Sequence, residues 1–177
     1  WMINLYNFMD GSDGLAGGMA LMGFGFYAIA GWLAGDMSLA FFSGVVVAGA
    51  LAFLVFNFPP ARVFLGDAGS TTLGFLVAAL GISGWLAGDW PVWFPAIVFS
   101  PFVVDATVTL LRRGLRKERV WQAHREHYYQ RLIRMGWSHK RTALAEYAVM
   151  ILAGVMSIAL LHTDIVWQYV GVVLWLS

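Results

Sequence analysis

SLAFFSGVVVAGALAFLVF, residues 38–56, decides the fold. It carries no charged side chain and approaches the roughly 20 apolar residues that an α-helix needs to cross a bilayer core. Working outward, runs of the same kind occupy residues 15–34, 71–87, 91–111 and 142–161, and a shorter run covers 165–177. Residues 1–9 read as the tail of an earlier span, so the chain is expected to be the C-terminal fragment of a longer protein. The expected fold is all-α: a polytopic transmembrane helix bundle, one membrane domain over residues 1–177, with about six spans. Composition agrees, since 60% of residues are hydrophobic and only 12% charged, where soluble domains carry about 25%. With no cysteine, disulfide and thiolate chemistry are excluded.

The small net charge hides an asymmetry. Of the 11 Lys and Arg residues, all but Arg62 lie between Arg112 and Arg141. Short loops rich in Lys and Arg stay in the cytoplasm, so the 112–141 loop is expected there. Alternating the spans puts residues 1–14 and 57–70 on the same side. Asp36, Asp89 and Asp164 fall in the opposite turns, which hold no basic residue. Asp10, Asp13, Asp67 and the basic loop should therefore share one face and build one site.

Two of those loops are rich in aspartate and glycine. NLYNFMDGSDGLAGG, residues 4–18, spaces Asn4, Asn7, Asp10 and Asp13 every third residue; a continuous helix would line them along one face. Gly11 and Gly14 let backbone approach a ligand. NFPPARVFLGDAGSTTLG, residues 57–74, has a stiff Pro59-Pro60 approach, an aromatic Phe64 that offers a flat face for a base, and Asp67. The plain alternative for both loops is a turn with helix-capping Asp or Ser, Asp67 or Ser70 in the second. Carboxylates beside glycine at a membrane face suit Mg²⁺, which takes one or two carboxylates together with substrate phosphates.

The basic loop contains VWQAHREHYYQRLIRMGW, residues 120–137. On a helix, His124, His127, Arg131 and Arg134 share a face. His127 and Arg131 are candidates for phosphate contact, with His127 also able to move a proton. Arg112, Arg113, Arg116, Lys117 and Arg119 read as a basic face on anionic lipid. A nucleic-acid role is not expected of a single loop against a membrane. Asp105 lies inside an apolar run, where a carboxylate marks function by default; the other reading is an ion pair with Arg112, about 10 Å further along the helix. Glu146 is expected to pair with nearby bases, and His139 and His162 to be interfacial. Gly31-x-x-x-Gly35 and Gly84-x-x-x-Gly88 can bring helices close.

Taken together, NLYNFMDGSDGLAGG, NFPPARVFLGDAGSTTLGF, PFVVDATVTLLRR and AHREHYYQRLIRMGWSH resemble, in order, the motifs of the polyprenyl-phosphate N-acetylhexosamine-1-phosphate transferases. Within that glycosyltransferase 4 type the chain looks closer to the O-antigen-initiating branch than to the peptidoglycan enzyme. The resemblance implies a multi-pass protein of the bacterial inner membrane with its active site facing the cytoplasm. It would move a sugar 1-phosphate from a UDP-N-acetylhexosamine to undecaprenyl phosphate, with UMP leaving and Mg²⁺ (or Mn²⁺) as cofactor. By resemblance Asp67 is a metal ligand, Asn7 and Asp10 position the nucleotide diphosphate and metal, and Asp13 meets the uracil edge. Phe64 stacks on uracil, and His127 and Arg125 hold phosphate. Asp10, Asp67 and His127 form the expected catalytic set; Asn7, Asp13, Phe64, Arg125 and Arg131 the substrate-binding set. Dimerisation through the spans also follows from the family alone.

Two departures stand out. Tyr129 and Gln130 occupy positions where the family carries further histidines, and the His124–Tyr129 variant looks like enzymes that use a 6-deoxy-N-acetylhexosamine. The family's adjacent aspartate pair, placed earlier in such proteins, does not occur, so a fragment starting at Trp1 should be inactive alone or at best bind weakly. In-line attack by the lipid phosphate is expected, with a covalent aspartyl intermediate as the other route. The rival readings are a multi-span transporter using the intramembrane acid and an inert scaffold. Convergence of Asp10, Asp13 and Asp67 separates the scaffold from the enzyme.

Overall fold

The computed structural model describes residues 1–119 and 126–177, and the regular structure in them is helical throughout. The helices are α1 (Met2–Met9), α2 (Leu15–Ala34), α3 (Met37–Asn57), α4 (Gly66–Ala87), α5 (Trp93–Val98), α6 (Ser100–Leu115), α7 (Tyr128–Arg134), α8 (His139–Leu161) and α9 (Ile165–Leu176). Among the described residues α2, α3, α4 and α8 are long and apolar enough to cross a membrane, and α9 is a shorter apolar helix. The protein is a multi-pass membrane helix bundle.

The run at 91–111, expected as one span, is two helices that meet at Phe99. Pro101 explains the break: it has no N–H to offer the Ile97 carbonyl, and its ring crowds that carbonyl. The run expected at 71–87 starts earlier, because Gly66–Ser70 already belongs to α4.

α2 is the inner helix, with Leu15 to Ala20, Gly23, Phe24, Tyr27, Ala30 and Gly31 buried, whereas α9 buries no residue. Its small residues allow this. Gly23 faces the Phe99 ring and Gly17 faces Phe53 and Leu54 of α3. Beside it an aromatic cluster joins Phe24, Tyr27, Trp90, Phe94 and Phe99, with centroid separations from 5.0 to 6.2 Å. The polar ends of two of these rings find helix carbonyls: Tyr27 OH donates to Val77 O at 3.2 Å and Trp90 Nε1 to Gly81 O at 3.1 Å. Rings of this kind contribute large buried area while keeping their polar tips satisfied.

The paired glycines divide their roles. Gly31 and Gly84 do approach a neighbour, the α3 N-terminus and the Trp90 ring respectively. Gly35 and Gly88 do not; each ends its helix at positive φ, 88° and 85°, and returns its N–H to the Gly31 or Gly84 carbonyl. These are left-handed caps, which glycine adopts without Cβ strain. At the opposite end of the bundle the turn after α1, the 57–65 loop and the start of α8 meet, joined by hydrogen bonds between Gly14 and Asn57, Asp13 and Ala61, and Ser12 and His139.

Candidate active site

α1 stops at Met9 because the Gly11–Gly14 sequence cannot continue it; Asp10 is its C-cap and Gly14 is left-handed at φ 77°. The turn places Asn7, Asp10, Gly11, Ser12 and Asp13 along one wall of a polar cavity of about 360 Å³, with Asn57, Phe64, Gly66 and Asp67 along the other. Asn7, Asp10, Asp13, Phe64 and Asp67 thus meet, although they come from two separate loops. Asn4 does not join them. The helix ends too early to carry one polar face through Asp13, and Asn4 lines a separate groove with Thr107 and Leu110 of α6.

The walls are held by main-chain contacts. Asp13 Oδ2 accepts the Ala61 N–H at 3.1 Å, and Asn57 Oδ1 accepts the Gly14 N–H at 2.9 Å while its Nδ2 donates to Val63 O at 2.8 Å. Ser70 Oγ donates to Asn7 Oδ1 at 3.2 Å. Neither Asp67 nor Ser70 is the N-cap of α4, a place taken by Leu65; Asp67 stands in the first turn. There the exposed amides of the helix end favour a negative charge.

Asp10 is the perturbed carboxyl. Burial pushes it up to about 6, the Asp67 charge pushes the same way, and a Gly66 N–H opposes both. Among the described residues no basic side chain lines the cavity. Three carboxylates line it; Asp13 is engaged by the Ala61 N–H and lies 4.0 Å from His139 Nδ1, which leaves Asp10 and Asp67 as the pair that fits a divalent cation. No group of three or more His, Cys, Asp or Glu able to hold a metal occurs among the described residues. The donor set therefore suits Mg²⁺, which completes its shell with phosphate and water, better than a metal that needs an all-protein cage.

His127 lies behind this cavity and does not line it. It is 2% exposed, with Nδ1 at 3.1 Å from Asp105 Oδ1. Asp105 also accepts hydrogen bonds from Thr109 Oγ1 (3.2 Å) and from the N–H groups of Tyr128 (2.9 Å) and Tyr129 (3.3 Å). Of the two readings of Asp105, the ion pair with Arg112 gives way to this arrangement: Asp105 caps α7, and the His127–Arg134 segment is a loop residue followed by a helix, not one continuous helix. Arg131 lies outside the cavity lining. Its Nε donates to Glu126 O at 2.8 Å, and its guanidinium and that of Arg112 pack on Tyr128, 5.6 and 5.3 Å from the ring centre. Arg125 and His124 fall outside the described residues. Glu146 lines a small cavity with Asp105 and Tyr128 in place of the expected pairing with bases.

Sequence reading missed four residues that hold the turn. His139, expected at the interface, has Nδ1 at 2.9 Å from Ser12 Oγ. Tyr147 donates its OH to Gly14 O at 2.6 Å, and Tyr129 donates to Phe8 O at 3.2 Å. Asn57, the last residue of α3, was the most readable of these, as a lone amide closing an apolar run. Gly18 gives Tyr147 its place, since a Cβ there would collide with the Tyr147 ring. Gly18→Ala is expected to cost about 1–3 kcal/mol by overpacking and to loosen the turn, read as a lowered Tm in detergent.

Residues 1–85 match the model of glycosyl transferase family 4. A probable undecaprenyl-phosphate N-acetylglucosaminyl 1-phosphate transferase of Bacillus subtilis is 31% identical over 165 residues, covering 90% of this chain and 46% of that protein. Phospho-N-acetylmuramoyl-pentapeptide-transferases of Geobacillus thermodenitrificans and Staphylococcus aureus are 34% and 30% identical, each covering 88% of this chain and 47% of the relative. The chain spans about half the length of these curated relatives.

Proposed function

We propose that the chain, whose residues 1–85 match the model of glycosyl transferase family 4, is a member of that family and carries the donor-binding site of a membrane enzyme moving an N-acetylhexosamine 1-phosphate from a UDP-sugar to undecaprenyl phosphate. UMP leaves and a lipid-linked diphosphate sugar forms. The observation that carries this reading is the convergence of Asp10, Asp13, Asp67, Asn7 and Phe64 on one polar cavity at the end of the bundle. The inert-scaffold reading would be favoured by those carboxylates lying apart. The relatives' names support the reaction class, and the positive-inside bias of 112–141 supports a site facing the cytoplasm at the inner membrane. We assign the pathway role to initiation of O-antigen or a related cell-envelope glycan.

In this mechanism the exposed Phe64 ring offers a face for the base. Asp13, fixed by the Ala61 N–H, presents its carboxylate to the uracil edge. Asp10 and Asp67 would hold Mg²⁺ beside the donor's phosphates, and the ion's charge would ease the meeting of two phosphorylated reactants and stabilise the leaving UMP. The acceptor phosphate is already anionic and attacks the sugar-linked phosphorus in line, so no base is needed to activate it. Asp105 and His127, buried together behind Phe8, shape the wall on which α1 rests.

The test is UMP release by the purified full-length protein across a panel of UDP-N-acetylhexosamines, with and without undecaprenyl phosphate and Mg²⁺. Release that needs both is the expected result; substrate flux into vesicles without nucleotide turnover would favour the transporter. A pH series adds a second check. Because Asp10 is raised to about 6, a proton competes with the metal below that value. Apparent metal affinity should be flat above pH 6 and fall about tenfold per pH unit below it, as expected for one proton displaced by binding. A flat profile down to pH 5 would remove Asp10 from the ligand set.

A further inference from the structure

Tyr129 is fully buried, and its contacts run in two directions. Its N–H donates to Asp105 Oδ2 at 3.3 Å and its ring lies parallel to His127, 6.0 Å away at 15°. At the far end its OH donates to Phe8 O at 3.2 Å, in the last turn of α1, and accepts from Gln130 Nε2 at 3.1 Å. A Cβ on Gly11 would collide with this hydroxyl. Phe8 and Gly11 bracket Asp10. Burial raises the phenol well above its usual pKa, so it remains a donor.

We propose that Tyr129 is a positioning residue for the metal-binding carboxylate: its hydroxyl fixes the Phe8–Gly11 backbone and so sets where Asp10 stands relative to Asp67. The inference rests on the proposed function for the identity of the bound ion, but not for the contact. Three observations favour it over simple core filling. The hydroxyl has a polar partner, Phe8 O, at the turn itself. Gly11, exposed and at no unusual φ, leaves the space the hydroxyl occupies. The Tyr129 main chain is held by Asp105, which caps α7, and its ring lies against His127, so the residue that carries the hydroxyl is fixed independently of the turn. An outer-shell contact of this kind typically governs metal affinity or activity by 10–100-fold.

The experiment uses the whole protein and Mn²⁺ as the probe, with binding followed by its EPR signal and turnover followed as UMP release. Tyr129→Phe removes only the hydroxyl. It should weaken Mn²⁺ binding about tenfold or more and lower kcat, with little change in the donor's KM and in Tm. Gly11→Ala should weaken Mn²⁺ binding in the unmodified background. In the Tyr129→Phe background it should have little further effect, because the group it strikes is gone. Unchanged Mn²⁺ affinity in Tyr129→Phe, or penalties that simply add in the double variant, overturns the proposal. If the unmodified protein releases no UMP while the Mn²⁺ coupling is present, the functional reading fails and the positioning role stands. If it releases UMP without the coupling, the reverse holds. An unmodified protein that binds no Mn²⁺ overturns both the metal assignment and this role.

Discussion

Asp67→Asn is expected to lower UMP release by roughly 10²–10³-fold, the scale on which a lost charge-stabilising group acts in a transition state, while the protein stays folded. The separation of the two effects follows from the site. The Asp67 side chain is exposed in the cavity wall, and in this structure the hydrogen bonds around residue 67 run from Ser70 and Thr71 to its main-chain carbonyl. An amide of the same shape therefore leaves α4 intact. What changes is the charge. Asn is a neutral oxygen ligand, and one of the two carboxylates proposed to hold the metal is lost. The same substitution removes a repulsion that raises Asp10, so the pH at which metal affinity breaks should move down from about 6. Both readouts come from one variant. Full activity in Asp67→Asn would end the metal assignment.

Asp105→Ala is the second large effect, and it acts on the fold of the basic loop. Asp105 is 5% exposed and accepts from Thr109, His127 and the first two amides of α7. Its removal leaves those amides without their acceptor and a buried histidine without its carboxylate. Leaving a buried donor without its acceptor typically costs about 1–3 kcal/mol per group. The segment 126–134 should lose its hydrogen-exchange protection, most at the Tyr128 and Tyr129 amides, and UMP release should fall because Tyr129 no longer braces the Asp10 turn. Arg112→Ala is the matching control. It removes only an exposed cation from the face of Tyr128, worth about 0.5–1 kcal/mol. If Arg112→Ala proved as damaging as Asp105→Ala, the local ion pair would be the correct reading of Asp105.

The spans were legible because transfer into a bilayer is summed residue by residue along the chain. Residues 15–34 come out as read, bounded by Gly14 and Gly35, which are both left-handed. The break at Phe99 escaped that reading because hydropathy does not register a missing proline N–H. The shared face of Asp10, Asp13 and Asp67 was legible through the bias of Lys and Arg, another property of composition. Periodicity misled twice in the site. It carried α1 past Met9, where glycine stops it, and it joined His127 to a helix that starts one residue later.

By itself the chain determined a membrane-spanning helical protein with its acidic loops on one side, because hydrophobic length and charge bias are local and additive. Tertiary structure alone decided that Asp105 serves His127 and α7, that His139 reaches Ser12 across 127 positions of sequence, and that Tyr129 and Tyr147 grip the turn around Asp10. Such contacts depend on how whole helices pack against one another. A hydroxyl and a carbonyl far apart in the chain carry no mark of meeting until the surfaces between them have been buried.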